Sequence, residues 1–151
     1  VNTLSETALA DVLFEFGEER KSRWVAKRIV ERRRDRKFET TGDLADVVQR
    51  TVPRAGGIDP ATRTFQALRI AVNDELGALD RLLAALPTLV APGGRVGVIS
   101  FHSLEDRRVK HSFRRPDVWD VRTKKPVEAT DAEAARNPRS RSAKLRVAVR
   151  K

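Results

Sequence analysis

The chain has 151 residues, enough for one ordinary domain or two small ones, and its 31 Lys and Arg against 21 Asp and Glu leave a net charge of +10. A charge of that size favours anionic partners, nucleic acid first and an acidic membrane surface second. With no Cys, a disulfide scaffold, a zinc ribbon, an iron–sulfur site and a thiol nucleophile are excluded, and two histidines, His102 and His111, are too few for a His-rich metal site.

Thr3 and Glu6 have capping-box spacing, and Leu9, Val12, Leu13 and Phe16 follow as an amphipathic helical stripe that Gly17 stops. A second helix is expected from about Glu18 to Arg33, with Trp24, Val25, Ile29 and Val30 as its apolar side. A third follows Thr40-Thr41-Gly42-Asp43, holds Leu44, Val47 and Val48, and ends before Pro53; Ala55-Gly56-Gly57 reads as a loop. Asp59-Pro60 pairs a capping side chain with a proline whose missing N–H costs nothing at a helix start. From there Phe65, Leu68, Val72, Leu76, Leu79, Leu83 and Leu86 predict one long helix, or two joined near Asn73-Asp74, closed by Pro87. A tight turn over Leu89–Gly94 leads into Arg95–Phe101, whose β-branched content reads as a strand buried on both faces. Ser103 with Asp106 is expected to cap a helix running from Leu104 to before Pro116. Residues 116–142 read as irregular, with a short helix after Thr130, and the alternation of Lys144–Arg150 predicts a terminal strand. Two strands cannot make a stable sheet alone, so the rest of the sheet is expected elsewhere. No apolar run reaches the roughly 18 residues of a membrane span. No start Met or signal peptide is visible, and the chain opens at Val1 like the middle of something longer.

The basic charge is clustered. Residues 18–37 hold ten Lys or Arg and four acids, residues 107–125 eight and two, and residues 136–151 seven and none. Blocks made mostly of Arg suit phosphate, because the guanidinium fork matches phosphate oxygens. The aromatic content is 5% with no Tyr, which argues against a binder built on stacking platforms.

Four stretches occur in order: Phe14-Glu15-Phe16-Gly17-Glu18-Glu19-Arg20, Asp59 through Asn73, Gly94 through Arg107 with Ser100-Phe101-His102-Ser103-Leu104-Glu105-Asp106 inside it, and Asn137 through Arg146. Together they resemble the bacterial small-subunit (16S) ribosomal RNA cytosine-N4 methyltransferase family over essentially the whole chain. The resemblance implies an α/β fold: a class I, Rossmann-like S-adenosylmethionine-dependent methyltransferase domain interrupted by an all-α insert that helps hold RNA. Residues 1–73 would be most of the insert and residues 74–151 the late helix and strands of the catalytic domain. It implies a cytoplasmic enzyme acting on 16S rRNA in the small ribosomal subunit. The family's Gly-rich cofactor loop, its acidic residue for the cofactor ribose and its Ser-Pro-Pro-like segment have no match here. The S-adenosylmethionine site is therefore expected upstream, and no cofactor or metal ligand is assigned to this chain.

Ligands of open α/β sheets bind beyond the carboxyl ends of strands, where the loop after Phe101 falls. His102, Ser103, Glu105 and Asp106 are expected to form one wall of the pocket for the target base; the alternative is that Ser103 and Asp106 only cap a helix. Arg63, Gln66, Arg69 and Asn73 share one helix face. That face is expected to line the cleft between the two domains and meet RNA or the upstream half; the alternative is ordinary helix–helix hydrogen bonding that holds the insert to the catalytic domain. Arg107, Arg108, Arg139 and Arg141, in the later basic blocks, are further candidate RNA contacts. An unpaired apolar strand at Arg95 predicts self-association. The rival readings are a non-catalytic basic RNA-binding protein derived from the family, favoured by the missing cofactor loop, and a basic adaptor pairing with a separate chain.

Overall fold

Apolar residues at helical spacing dominate the first half of the chain, and the computed structural model, which describes residues 1–54 and 59–151, forms helices there. The expected loop at Ala55-Gly56-Gly57 lies outside the described residues. The chain divides into two units, Val1–Glu75 and Leu76–Lys151.

In the first unit, α1 spans Glu6–Gly17, α2 Ser22–Asp35, α3 Thr41–Thr51 and α4 Ala61–Asn73. The α1 cap is Ser5, whose hydroxyl accepts from the Ala8 N–H, and not Thr3. Gly17 does not stop α1 through its own backbone; Glu18 takes the left-handed conformation, at φ 49°. Gly17 instead allows close approach, since a Cβ there would lie 2.7 Å from the Arg63 carbonyl oxygen on α4. The second helix starts later than expected because the buried Glu19 accepts from the Lys21 N–H before it. Its buried stripe is Ser22, Val25, Ala26, Ile29 and Val30, spaced i, i+3, i+4, i+7, i+8. Trp24 falls off that stripe and is exposed, against expectation. Thr40 and Asp43 form a full capping box at α3. The buried face of α4 is Ala61, Thr64, Ala67 and Ile70; Phe65 and Leu68 only flank it, and Val72 is exposed. The core gathers Leu9, Leu13, Val25, Ile29, Leu44 and Val48, all buried.

The long apolar stretch is two helices. Asp74 adopts the left-handed conformation, φ 49° and ψ 41°, and ends α4. Helix α5 then runs Glu75–Leu89, so Pro87 lies within its last turn and does not close it.

The second unit is built on a four-stranded antiparallel sheet. Strand β1 is Arg95–Ser100 and β4 is Lys144–Arg150, paired with Gly97 opposite Val147. On the other edge of β4 lie β2 (Trp119–Val121) and β3 (Val127–Glu128). The region expected to be irregular thus supplies two short strands, so the sheet is not two-stranded, while β1 itself pairs with β4 alone among the described residues. Nor is β1 buried on both faces: its residues alternate, Ile99 is exposed, and only Ser100 is fully buried. Helix α6 (Ser103–Phe113) follows β1, and α7 (Asp131–Arg136) is capped by Thr130 as its spacing predicted. A 3-10 turn, Pro138–Ser142, precedes β4. Phe113 and Trp119 pack with ring centroids 5.5 Å apart in a core with Leu83, Leu86, Val109 and Ala148.

Candidate functional site

The loop between β1 and α6 is held by its own side chains. Ser100 is buried and donates its hydroxyl to the Lys144 carbonyl at 3.3 Å. His102, not Ser103 or Asp106, is the N-cap of α6: its Nδ1 accepts from the Glu105 N–H at 3.4 Å. With Nδ1 accepting, a proton on the neutral ring belongs on Nε2. That nitrogen is buried, lies 3.4 Å from Glu105 Oε1 and has no partner of hydrogen-bonding geometry, so the pair is a close electrostatic contact. The other Glu105 oxygen accepts from the Phe101 N–H at 2.8 Å. The neighbouring His102 side chain, foremost, and the Phe101 N–H lower the Glu105 pKa against the opposing effect of burial.

Asp106 points elsewhere. It accepts two hydrogen bonds from Arg146, on β4, at 2.6 and 3.0 Å. Both side chains are largely buried, and the Arg146 hydrogen bond is the main cause holding the Asp106 carboxyl below its ordinary value. Of the four residues expected to form a wall, His102 and Glu105 lie side by side, Asp106 is committed to tethering α6 to β4, and Ser103 is exposed at the first turn.

The predicted RNA residues divide in the same way. Gln66 donates to the Phe16 carbonyl at 3.0 Å, tying α4 to α1. Arg69 makes a two-pronged pair with Glu75 at 2.8 and 3.0 Å, and Asn73 donates to the same carboxylate. Three of the four residues on that face thus carry helix-to-helix or helix-end bonds, while Arg63 is exposed. Arg108 pairs with Asp80 at 3.2 Å. Arg107, Arg139 and Arg141 are exposed. In the first basic block, Arg33 donates to the Val1 and Leu4 carbonyls and Arg32 lies over the Phe38 ring at 5.3 Å, so these two arginines brace the first unit.

A cavity of about 330 Å³ in the second unit was not foreseen. Lys110, Phe113, Arg114, Thr123, Lys124 and Arg146 line it, and among the described residues no carboxylate does. The signal was the clustered charge of residues 107–125, but periodicity alone could not show that α6 and the segment after β2 face one hollow. Among the described residues, no group of His, Cys, Asp and Glu is arranged to hold a metal ion, and no helix is long and apolar enough to cross a membrane.

Comparison with known proteins bears on this geometry. The model of the MraW methylase family matches residues 1–151. A protein of Rhodopirellula baltica is 59% identical over 149 residues, covering 97% of this chain and 46% of the relative. One of Crocosphaera subtropica is 56% identical over 154 residues, covering 100% and 48%. One of Sorangium cellulosum is 56% identical over 152 residues, covering 99% and 48%. All three are called ribosomal RNA small subunit methyltransferase H, and the chain spans about half the length of these curated relatives.

Proposed function

Because the chain belongs to the MraW methylase family, we propose that it serves an S-adenosylmethionine-dependent methyltransferase that methylates N4 of a cytidine in 16S rRNA of the small ribosomal subunit. The observation that carries this reading is the identity of more than half of the residues, along the whole chain, to proteins called ribosomal RNA small subunit methyltransferases. The clustered Arg and Lys fit an RNA substrate. In this reading residues 1–73 are the helical RNA-recognition insert. Residues 74–151 belong to the class I, Rossmann-like methyltransferase domain, with β1, which ends the strand order and pairs with β4 on one edge, accepting further strands of a larger sheet on the other. The reaction would take place in the cytoplasm, where the ribosomal RNA is.

The glycine pair before β1 does not fit the cofactor. The Gly93-Gly94 pair is closed on itself: the Gly93 N–H donates to Arg150 and the Gly94 N–H to Ala91, and a Cβ at Gly94 would meet Val90 at 2.6 Å. Such a turn offers no cradle for a nucleoside, so S-adenosylmethionine is placed on other residues and no step is assigned to it here.

The lone pair of a cytosine amine is delocalised into its ring, so positioning supplies most of the catalytic effect, and the base must leave its stack to be reached. The loop at His102–Glu105 fits one wall of that pocket because its shape is set by internal bonds and does not need the substrate. His102→Asn retains a capping side chain. In the methylating enzyme, His102→Asn and Glu105→Gln are expected to lower methyl transfer at least about tenfold, equivalent to ~1.4 kcal/mol in the barrier, while the melting temperature is kept. Full activity in both variants would leave His102 as a helix cap alone.

Deleting the encoding gene tests the activity directly. Small-subunit RNA digested to nucleosides is expected to lose one N4-methylated cytidine, and to regain it when the gene is restored. An unchanged nucleoside profile would favour the rival, a non-catalytic RNA-binding protein.

A further inference from the structure

The structure places two exposed aromatic rings at one cavity of the first unit. Phe14, near the end of α1, is 60% exposed, and Trp24, in the first turn of α2, is 54% exposed. Both line a hollow of about 440 Å³ together with Arg20, Lys21, Arg23 and Asp11. This volume lies within the ~300–1,000 Å³ of small-ligand sites. Among the described residues the aromatic pair in contact is Phe113 and Trp119, so neither Phe14 nor Trp24 is committed to another ring. Elsewhere in the same basic block Arg28 pairs with Glu31 and Arg36 with Asp43. The side chains of Arg20, Lys21 and Arg23 make no such pair among the described residues.

We infer that this cavity takes an unpaired nucleobase of single-stranded RNA, stacked on Trp24 and Phe14, with its flanking phosphates on Arg20, Lys21 and Arg23. Exposed rings interleaved with cations offer stacking area and charge to a ligand that is both flat and anionic. A protein surface seated on the rings would leave three cations facing it with one acid, Asp11, to offset them. In the RNA complex Asp11 has a use, as an acceptor for the exocyclic amine at the edge of a base. The inference rests on the reading that the chain acts on RNA, and adds to it a second point of grip, away from the base that is methylated. It reverses the expectation that so few aromatics leave no stacking platform: two rings suffice when both are on the surface.

Trp24 and Trp119 are the two tryptophans, and Trp119 is buried, so emission that responds to ligands in solution belongs to Trp24. The test titrates the whole chain with a cytidine-rich single-stranded RNA of about ten nucleotides, within the usual site sizes, and reads tryptophan emission beside the anisotropy of labelled RNA. Quenching that follows the anisotropy is expected. Trp24→Ala and Phe14→Ala should each weaken binding about tenfold and leave the affinity for a duplex of equal length unchanged. Arg23→Gln should lower the salt dependence of binding by about one charge, and Trp24→Ala should not. Because both rings are exposed, the variants should melt with the parent chain. RNA binding with Trp24 emission unmoved and the Trp24→Ala affinity intact would overturn the site and assign the rings to a protein contact. No binding of RNA by the parent chain would overturn the RNA reading beneath it as well.

Discussion

Replacing Asp106 with Ala is expected to lower stability by about 3–5 kcal/mol, the cost of removing one partner of a buried ion pair. The pair joins α6 to β4 through two short bonds, 2.6 and 3.0 Å, and the side chains are only 8% and 13% exposed for Arg146 and Asp106. Without the carboxylate, the Arg146 guanidinium stays buried and uncompensated. The effect measures that penalty and not the net worth of the pair, so Asp106→Leu combined with Arg146→Met should recover much of the loss. The pH dependence has a definite sign. Arg146, first, holds the folded carboxyl below its ordinary value, with Lys144 and Lys110 adding to it. The contribution of Asp106 is therefore fully present above the unfolded value of about 3.9 and is lost as pH falls through the lowered folded value. Urea unfolding at neutral pH and near pH 3 should show this loss in the parent chain and a smaller one in Asp106→Ala. A loss below about 1 kcal/mol at neutral pH would place the pair among weak surface salt bridges.

Gly17→Ala is expected to destabilise the first unit by about 1–3 kcal/mol, the usual cost of overpacking. Two effects oppose each other. Ala is the better helix residue by about 1 kcal/mol, and Gly17 is the last residue of α1. The new Cβ, however, would sit 2.7 Å from the Arg63 carbonyl oxygen and 3.2 Å from the Ala67 Cβ. The first contact is with backbone, which cannot rotate away, so α1 and α4 must separate and disturb the packing of Leu9, Leu13 and Ala67. Thermal unfolding decides the sign. A more stable variant would show that the two helices part at little cost and that Gly17 is there for another reason.

The helices of the first unit were legible because each buries one stripe: Leu9 with Leu13, Val25 with Ile29, Leu44 with Val48. Their starts and partners were less so. The choice of Ser5 over Thr3, and of His102 over Ser103, turns on a single φ/ψ pair, while the spacing of candidate caps is alike. The β1–α6 loop was found as a candidate site from its place after a strand, and it does bring His102 and Glu105 together. The role of Asp106 was not legible, because its partner lies 40 residues away. The same holds for Gln66, whose partner is 50 residues away on α1.

Composition and periodicity by themselves determined the basic character, the four helices of the first half, the break near Asn73-Asp74 as one of two alternatives, and the strands at Arg95 and Lys144. The motifs pointed to the family, because that information is carried by the order of residues and needs no contact. Tertiary structure alone decided which of these residues remain available. It sent Gln66, Arg69 and Asn73 into internal bonds and gathered β2 and β3 onto β4. It turned Trp24 outward beside Phe14. The reason is that a helix or strand pattern specifies a face to within about one residue of rotation, some 100° on a helix. What that face meets depends on segments far away in the chain.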